Sequence, residues 1–357
     1  MRPLRAEIPS LRSVTPIGRV SRGTNLRLGE EGSGGQRVRV YSIPMRTRFR
    51  GITQREGVLI HGPAGWGEFS PFAEYGPAEC ARWLAAAREA AYEGWPAPIR
   101  EAIPVNVTIP AVGPETAYAM TKDSGCRTAK VKVAERGQDE SDDVARVEAV
   151  RDAIGPDGKV RIDVNGGWDV ATAVRMVRVL DRYGLEYVEQ PCATLEELAR
   201  VRRQVDVPVA ADESIRRAED PMKVRAAEAA DVAVLKVQPL GGVRNALAVA
   251  EACGLPVVVS SAVETSVGLA AGLALAAALP ELPYACGLAT LALLEADVVA
   301  EPLVPVNGAI PVRRPEVAEA CLLRHEMSDE AGAGWRRRVA DAQALMDAPP
   351  VIGVVGR

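Results

Sequence analysis

Three acidic residues invite a chemical reading: Asp163 in "RIDVNGG", Glu189 in "YVEQP" and Asp212 in "VAADES". Asp163 and Glu189 are 26 residues apart, Glu189 and Asp212 are 23 apart, each about one strand-plus-helix repeat. If each ends one of three successive parallel strands, their side chains converge on one rim, the end at which barrel active sites lie. Converging carboxylates repel one another, and burial makes this worse. A hard divalent cation relieves the conflict, and all-oxygen donors select Mg²⁺ or Mn²⁺ over Zn²⁺. Three lysines share the same scaffold. "TAKVKVAE" (128–135) has the period-two alternation of a strand, which turns Lys130 and Lys132 to one face and Val131 and Val133 to the other. Lys236 lies in "VLKVQPLGG", one repeat beyond Asp212. Strands of a parallel barrel are covered on both sides, so an inward lysine must meet a carboxylate, a metal ligand or a substrate. Burial and a neighbouring cation lower a lysine pKa and make it a usable general base. A lysine that stays charged stabilises an anion. A metal flanked by opposed lysines suits removal of a proton α to a carboxylate. Each feature also has a plain structural reading: a lone Asp at a strand end caps the next helix, and "KVKV" on an edge strand would carry solvated lysines.

These residues must be positioned by regular elements. From residue 103 onward, strands are expected at 104–109, 129–133, 159–164, 187–190, 207–212, 232–237, 256–261 and 284–288. Helical patterns fill most gaps, among them 142–154, 170–183 and 244–254. Nearly eight strand–helix units predict a (β/α)₈ TIM-type barrel, although alternation alone also allows a doubly wound sheet. Before this, "RVRVYSIP" and "EGVLIHGPAGWGEFSPF" read as antiparallel strands with Gly turns, and residues 77–95 as a helix, together a small α+β domain. The expected divisions are a disordered extension over 1–36, a capping domain over 37–102, a barrel over 103–300 and a C-terminal segment over 301–357 that ends in a helix at 334–347. "GEEGSGGQ" (29–36) reads as linker, so compact sequence is expected near Val38, with Met45 a second possible start.

Composition narrows the function. A net charge of −4 argues against a nucleic-acid partner. Two histidines, His61 and His325, are too few for a His-built metal centre. The six cysteines are scattered with no C-x-x-C pair, as expected of reduced thiols in a cytoplasmic protein. The most apolar stretch, "VGLAAGLALAAALP" (267–280), is too short to span a bilayer, so a buried helix and no membrane partner are expected. The first 24 residues are Arg-rich, but Pro3, Pro9 and Pro16 would break an amphipathic transit helix, and no secretory signal is visible.

The motifs in order are K-x-K at Lys130/Lys132, D-x-N at Asp163/Asn165, "VEQP", "ADES", "LKVQPLGG" and "SSAVETSVG" (260–268). With "IPMRTRFRGITQREG" and "GWGEFSPF", they resemble the enolase superfamily, its muconate-lactonising subgroup, and most closely the o-succinylbenzoate synthases of actinobacterial type. The resemblance covers residues 38–312. It implies a modified barrel under an α+β cap closed by the C-terminal segment, with Asp163, Glu189 and Asp212 as metal ligands. It implies Lys132 as the base that takes the α-proton and then helps hydroxide leave, with Lys236 opposite as a cation. A Lys base with Mg²⁺ and an enediolate is that superfamily's own chemistry. The implied reaction is dehydration of 2-succinyl-6-hydroxy-2,4-cyclohexadiene-1-carboxylate to 2-succinylbenzoate, a step of menaquinone synthesis, with a small carboxylate as substrate. Lys130 would lie beside the base near the substrate carboxylate, and Asn165 would support the metal's surroundings. Ser260 and Ser261 would either hydrogen-bond substrate or only shape a loop, and "GWGEFSPF" would either close over the site or only pack. The same motifs serve N-acylamino-acid racemases and dipeptide epimerases, and a non-catalytic barrel that binds a metal or small acid is a third reading.

Overall fold

In the computed structural model, which describes residues 38–215 and 220–348, the alternating N-terminal runs pair as an antiparallel sheet. The extension expected over 1–36 lies outside the described residues. The sheet has the order β1 (Val38–Phe49), β2 (Ile52–Gly62), β3 (Gly65–Phe69). Arg50 and Gly51 join β1 to β2 with φ of 50° and 81°. Two successive positive-φ residues give the tight turn whose twist matches the strands it joins. Helix α1 (Pro77–Arg88) starts on a proline, tolerated because that N–H has no helical partner anyway.

The chain then passes through β4 (Ala102–Pro104) and enters the barrel at β5 (Val107–Ile109). Five strand-helix repeats follow: α2 (Pro114–Asp123), β6 (Thr128–Lys132), α3 (Glu140–Ile154), β7 (Lys159–Asp163), α4 (Val170–Leu180), β8 (Leu185–Glu189), α5 (Leu195–Arg202), β9 (Val209–Ala211), α6 (Asp220–Ala226) and β10 (Val232–Leu235). The barrel ends with α7 (Val237–Leu240), α8 (Val243–Cys253), β11 (Val257–Val259) and α9 (Ser266–Ala278). Strands β5 to β11 form one parallel sheet in sequence order. The strand expected at 284–288 is reduced to two bridges, Cys286 to Val105 and Gly287 to Ser260, which close the sheet on itself. Gly287 makes that closure possible, since a Cβ there would fall 2.7 Å from Ser260 Oγ. The fold is therefore a modified α/β TIM-type barrel with a capping domain. The run expected as one strand over 104–109 is divided, because Ala102–Pro104 pairs instead with β12 (Ala309–Pro311), outside the barrel. The chain continues through α10 (Glu319–Leu322) to α11 (Asp329–Asp347), longer than expected, whose Val339 and Ala342 pack with Trp83 and Leu84 of α1 and Val58 and Phe69 of the sheet.

Local sequence explains several boundaries. Asp139 and Thr194 begin α3 and α5 with capping boxes, each satisfying helix N–H groups that have no intrahelical partner. Helix α9 is apolar on every side and correspondingly buried along most of its length. Among the described residues no helix is long and apolar enough to cross a membrane.

Cap and barrel meet at the N-terminus of α9. Glu68 of β3 is 3% exposed. Its carboxylate accepts from the backbone N–H of Thr265 at 3.2 Å and of Gly268 at 3.1 Å. The hydroxyls of Thr265 at 2.5 Å, Tyr41 at 2.7 Å and Ser70 at 2.8 Å also donate to it. A carboxylate facing helix N–H groups is favourably placed. Burial, and then the charge of Glu264, nevertheless push its pKa up to about 7 from an ordinary 4.5. The folded state thus keeps this proton where the unfolded chain loses it, so the contribution to stability falls as pH rises from about 4.5 to about 7. Glu68→Gln, neutral throughout, should gain about 2–3 kcal/mol relative to the parent between pH 5 and pH 8 in urea unfolding. A difference that does not change with pH would count against a buried, titrating Glu68.

Candidate active site

All five residues of β6 are buried, Lys130 and Lys132 included. Parallel register sets Lys132 beside Asp163, and Asp163 beside Glu189. Asp212 and Lys236 each follow the last residue of β9 and β10. Six charged groups therefore share one rim, as their spacing suggested. Asp163, Glu189 and Asp212 are 1%, 0% and 2% exposed.

The contacts pair acids with ammonium groups. Lys130 Nζ donates to both Glu189 oxygens, at 2.9 and 3.0 Å, and lies 3.2 Å from Asp163 Oδ2. Lys132 Nζ donates to Asp163 Oδ2 at 2.5 Å and to Asn165 Oδ1 at 2.6 Å. Lys236 Nζ donates to Asp212 Oδ2. Burial alone would lower the Lys130 pKa, as expected from sequence, but Glu189 and Asp163 outweigh it and hold the ammonium well above the ordinary lysine value. The carboxylates diverge for the same reason. Burial, followed by the charge of Asp163, pushes Glu189 up to about 7 against the pull of Lys130. Burial would also raise Asp163, but Lys132 and Lys130 together bring it below the usual carboxylate range.

The intervening residues lock this arrangement. Gln190, at a φ of 42°, turns its buried side chain so that Oε1 accepts from the N–H of Asp212 at 3.0 Å and of Ser214 at 3.3 Å. Its Nε2 donates to Ser214 Oγ at 2.8 Å and to the Cys192 carbonyl at 3.0 Å. The "EQP" and "DES" segments are thereby tied to each other. Asn165, at a φ of 50°, accepts from Lys132 and donates to Glu213 Oε1 at 3.1 Å. Ser260 and Ser261 are buried at the end of β11, where Ser261 Oγ lies 2.6 Å from Thr290 Oγ1.

These groups line one cleft at the barrel mouth. Lys130, Lys132, Asp163, Asn165, Asp212, Lys236, Ser260 and Ser261 all reach it, while Glu189 lies beneath. The cap supplies Phe49, Arg50 and Phe72, and the Phe49 ring centre is 5.4 Å from Lys132 Nζ. "GWGEFSPF" thus divides its work: Phe72 faces the cleft, and Glu68 packs against α9. Thr108, Thr290, Ala262 and Val263 also line the cleft and were not anticipated. Thr108 pairs with Lys130 across β5 and β6, so register could have revealed it. Nothing local distinguishes Thr290.

Among the described residues no three acids, histidines or cysteines are drawn together around one point as metal ligands; Lys130 stands between Asp163 and Glu189. The donor chemistry nonetheless suits a hard cation. Three buried carboxylates end adjacent strands, and one of them is held back from ionising by burial and a neighbour's charge.

Comparison with known proteins gives the context. Residues 114–317 match the family described as Enolase C-terminal domain-like, and residues 40–91 match Enolase N-terminal domain-like. The chain is 72% identical over 309 residues to the o-succinylbenzoate synthase of Thermobifida fusca, covering 87% of this chain and 96% of that protein. It is 53% identical over 313 residues to that of Mycolicibacterium smegmatis, again 87% of this chain and 96% of the other. Among solved structures, a muconate lactonizing enzyme from Pseudomonas fluorescens complexed with muconolactone superposes with a TM-score of 0.72 at 22% identity. It covers 82% of this chain and 98% of its own. The L-Ala-D/L-Glu epimerase of Bacillus subtilis gives 0.68 at 23%, over 82% and 98%. At these identities the two structures establish the shared fold.

The ion pairs make a prediction of their own. Lys130→Met leaves two buried carboxylates without the ammonium that bridges them, and breaking a buried pair costs about 3–5 kcal/mol. Urea unfolding at pH 7 without divalent cations should show a loss of that size; a loss below about 1 kcal/mol would mean that the bridge is not maintained.

Proposed function

The chain belongs to the enolase superfamily and, within it, to the o-succinylbenzoate synthases, which are carbon–oxygen lyases, and from that premise we propose how its residues divide the work. The reaction is dehydration of 2-succinyl-6-hydroxy-2,4-cyclohexadiene-1-carboxylate to 2-succinylbenzoate, here read as a cytoplasmic step of menaquinone synthesis. Lys132 takes the proton α to the carboxylate. The same ammonium then protonates the departing hydroxyl on the same face, a syn elimination that needs one proton carrier. Asn165 fixes the Lys132 nitrogen through its 2.6 Å contact. Lys236, on the far side of the row of acids, stays a cation facing the developing negative charge. Asp163, Glu189 and Asp212 would hold Mg²⁺ or Mn²⁺, which supplies positive charge to the substrate carboxylate when bound. Lys130 keeps positive charge between Glu189 and Asp163 and lies near the substrate carboxylate. Ser260 and Ser261 offer hydroxyls to the substrate from the opposite wall.

What supports this reading above all is the flanking of three buried acids by Lys132 on one side and Lys236 on the other. Aromatisation makes the elimination strongly downhill, so one well-placed lysine and a charge sink suffice. A binding module would have no need of a buried base.

Two outcomes follow. Excess EDTA should abolish turnover and Mg²⁺ or Mn²⁺ should restore it. Asp212→Asn should weaken Mg²⁺ binding, measured by calorimetry, in a folded protein. Undiminished activity in EDTA would remove the metal from this account. The second outcome concerns the lysines, with dehydration followed by the ultraviolet absorbance of the aromatic product. Lys132→Ala should lose about 10²–10⁴-fold, the usual size of a general acid–base contribution. Lys236→Arg keeps the cation but cannot serve as a base near neutral pH, so it should retain more activity than Lys132→Ala. If an N-succinyl amino acid instead racemises in D₂O with a higher kcat/KM than that of dehydration, the protein works as a racemase.

A further inference from the structure

Arg55 lies on β2 of the cap, 2% exposed. Its guanidinium makes its hydrogen bonds to uncharged oxygens. Nε donates to the Val263 carbonyl at 2.9 Å, and Nη2 to the Ala262 carbonyl at 3.1 Å. Nη2 also donates to the Ser70 carbonyl at 2.5 Å and the Ser70 hydroxyl at 2.9 Å, and Nη1 to the Glu56 carbonyl at 3.2 Å. The guanidinium carbon sits 4.8 Å from the centre of the Phe72 ring, and Phe72 lines the cleft.

The loop it grips is unusual. Val263 has a φ of 64°, a left-handed conformation that a β-branched residue adopts only under constraint. Ala262 and Val263 line the cleft directly after Ser260 and Ser261. The Val263 N–H donates back to Ser261 Oγ at 3.2 Å. With its two carbonyls turned to Arg55, the loop can keep the Ser261 hydroxyl between Val263 and Thr290. Hydrogen bonds alone from a neutral side chain would not supply the rigid, multiply donating fork that this requires.

We propose that Arg55 is a positioning residue for the substrate: from the cap, it holds Ala262–Val263 in the left-handed turn that sets the serine-bearing wall of the cleft. The assignment rests on the function read above only for the identity of the substrate. The wall is then a joint product of cap and barrel, and a displaced wall loosens binding of ground state and transition state alike, which raises KM and leaves kcat little changed.

The test compares Arg55→Ala and Arg55→Lys with the parent enzyme in saturating Mg²⁺. KM for the cyclohexadiene acid should rise at least about tenfold in Arg55→Ala, with kcat within about threefold and Mg²⁺ affinity unchanged. Methylguanidinium in solution should restore a good part of the lost kcat/KM, and methylammonium should not. Arg55→Lys, which keeps the charge but not the fork, should resemble Arg55→Ala. Parent-like KM and kcat in a folded Arg55→Ala, even with a lowered melting temperature, would make Arg55 a mere clamp between domains and overturn the proposal. So would failure of both variants to fold. If the parent turns over an N-succinyl amino acid and not the cyclohexadiene acid, the functional reading fails, and the same ratios taken with that substrate still decide the role of Arg55.

Discussion

The mouth of the barrel is organised by one constraint: three carboxylates are buried together, and their charge has to be met from within. Taking an ion out of water costs several kcal/mol, and Coulombic attraction recovers this only in close, well-formed contacts. Lys130, Lys132 and Lys236 supply three positive charges against the three negative ones. They do so unequally, because Lys130 touches two acids and Lys236 pairs with Asp212. That inequality separates Asp163, held ionised by two ammoniums, from Glu189, held near neutrality by burial and by its neighbour's charge. The surrounding backbone follows from the same requirement. Gln190 and Asn165 leave the usual backbone region to bring their amides onto charged neighbours and onto the N–H groups of the next strand end.

Ion pairs are stronger in a low dielectric than in water, and the cap adds two apolar rings to the lining of the cleft. Phe49, Arg50 and Phe72 cover the cleft from above. The cap is itself docked by polar groups rather than by apolar contact alone. Glu68 caps α9, and Arg55 collects the carbonyls of the loop that leads into α9. Both are buried, both are ionisable, and both reach across the junction to the same short stretch of chain. Active-site wall and domain interface are therefore one structure seen from two sides.

Lys132 and Lys236 also occupy different places in the sheet. Lys132 is on β6 and Lys236 follows β10, and the three acid-bearing strands lie between them in the sheet. The two ammonium groups consequently flank the row of acids from opposite ends. Elimination with one proton carrier and racemisation with two are both compatible with that scaffold.

The amino-acid sequence by itself determined the charged constellation. The period of two in "KVKV" and the repeat-length spacing of Asp163, Glu189 and Asp212 are local properties, and a parallel barrel leaves little freedom in where such residues point. It determined α9 as well, since a helix apolar on all sides has only the interior to occupy. Tertiary structure alone decided the rest. The eighth stave is two bridges instead of a strand, and Gly287 leaves the room that Ser260 Oγ needs at one of them. Residues 102–104 leave the barrel for a partner some 200 positions later. The grip of Arg55 on Val263 spans 208 residues, and no period or motif in "TQREG" announces it. Lys130 keeps its charge against burial because Glu189 and Asp163, on two other strands, stand 2.9 and 3.2 Å from its ammonium. Spacing along the chain carries the repeat of the fold, but contacts between different repeats arise only when the sheet closes and the cap docks.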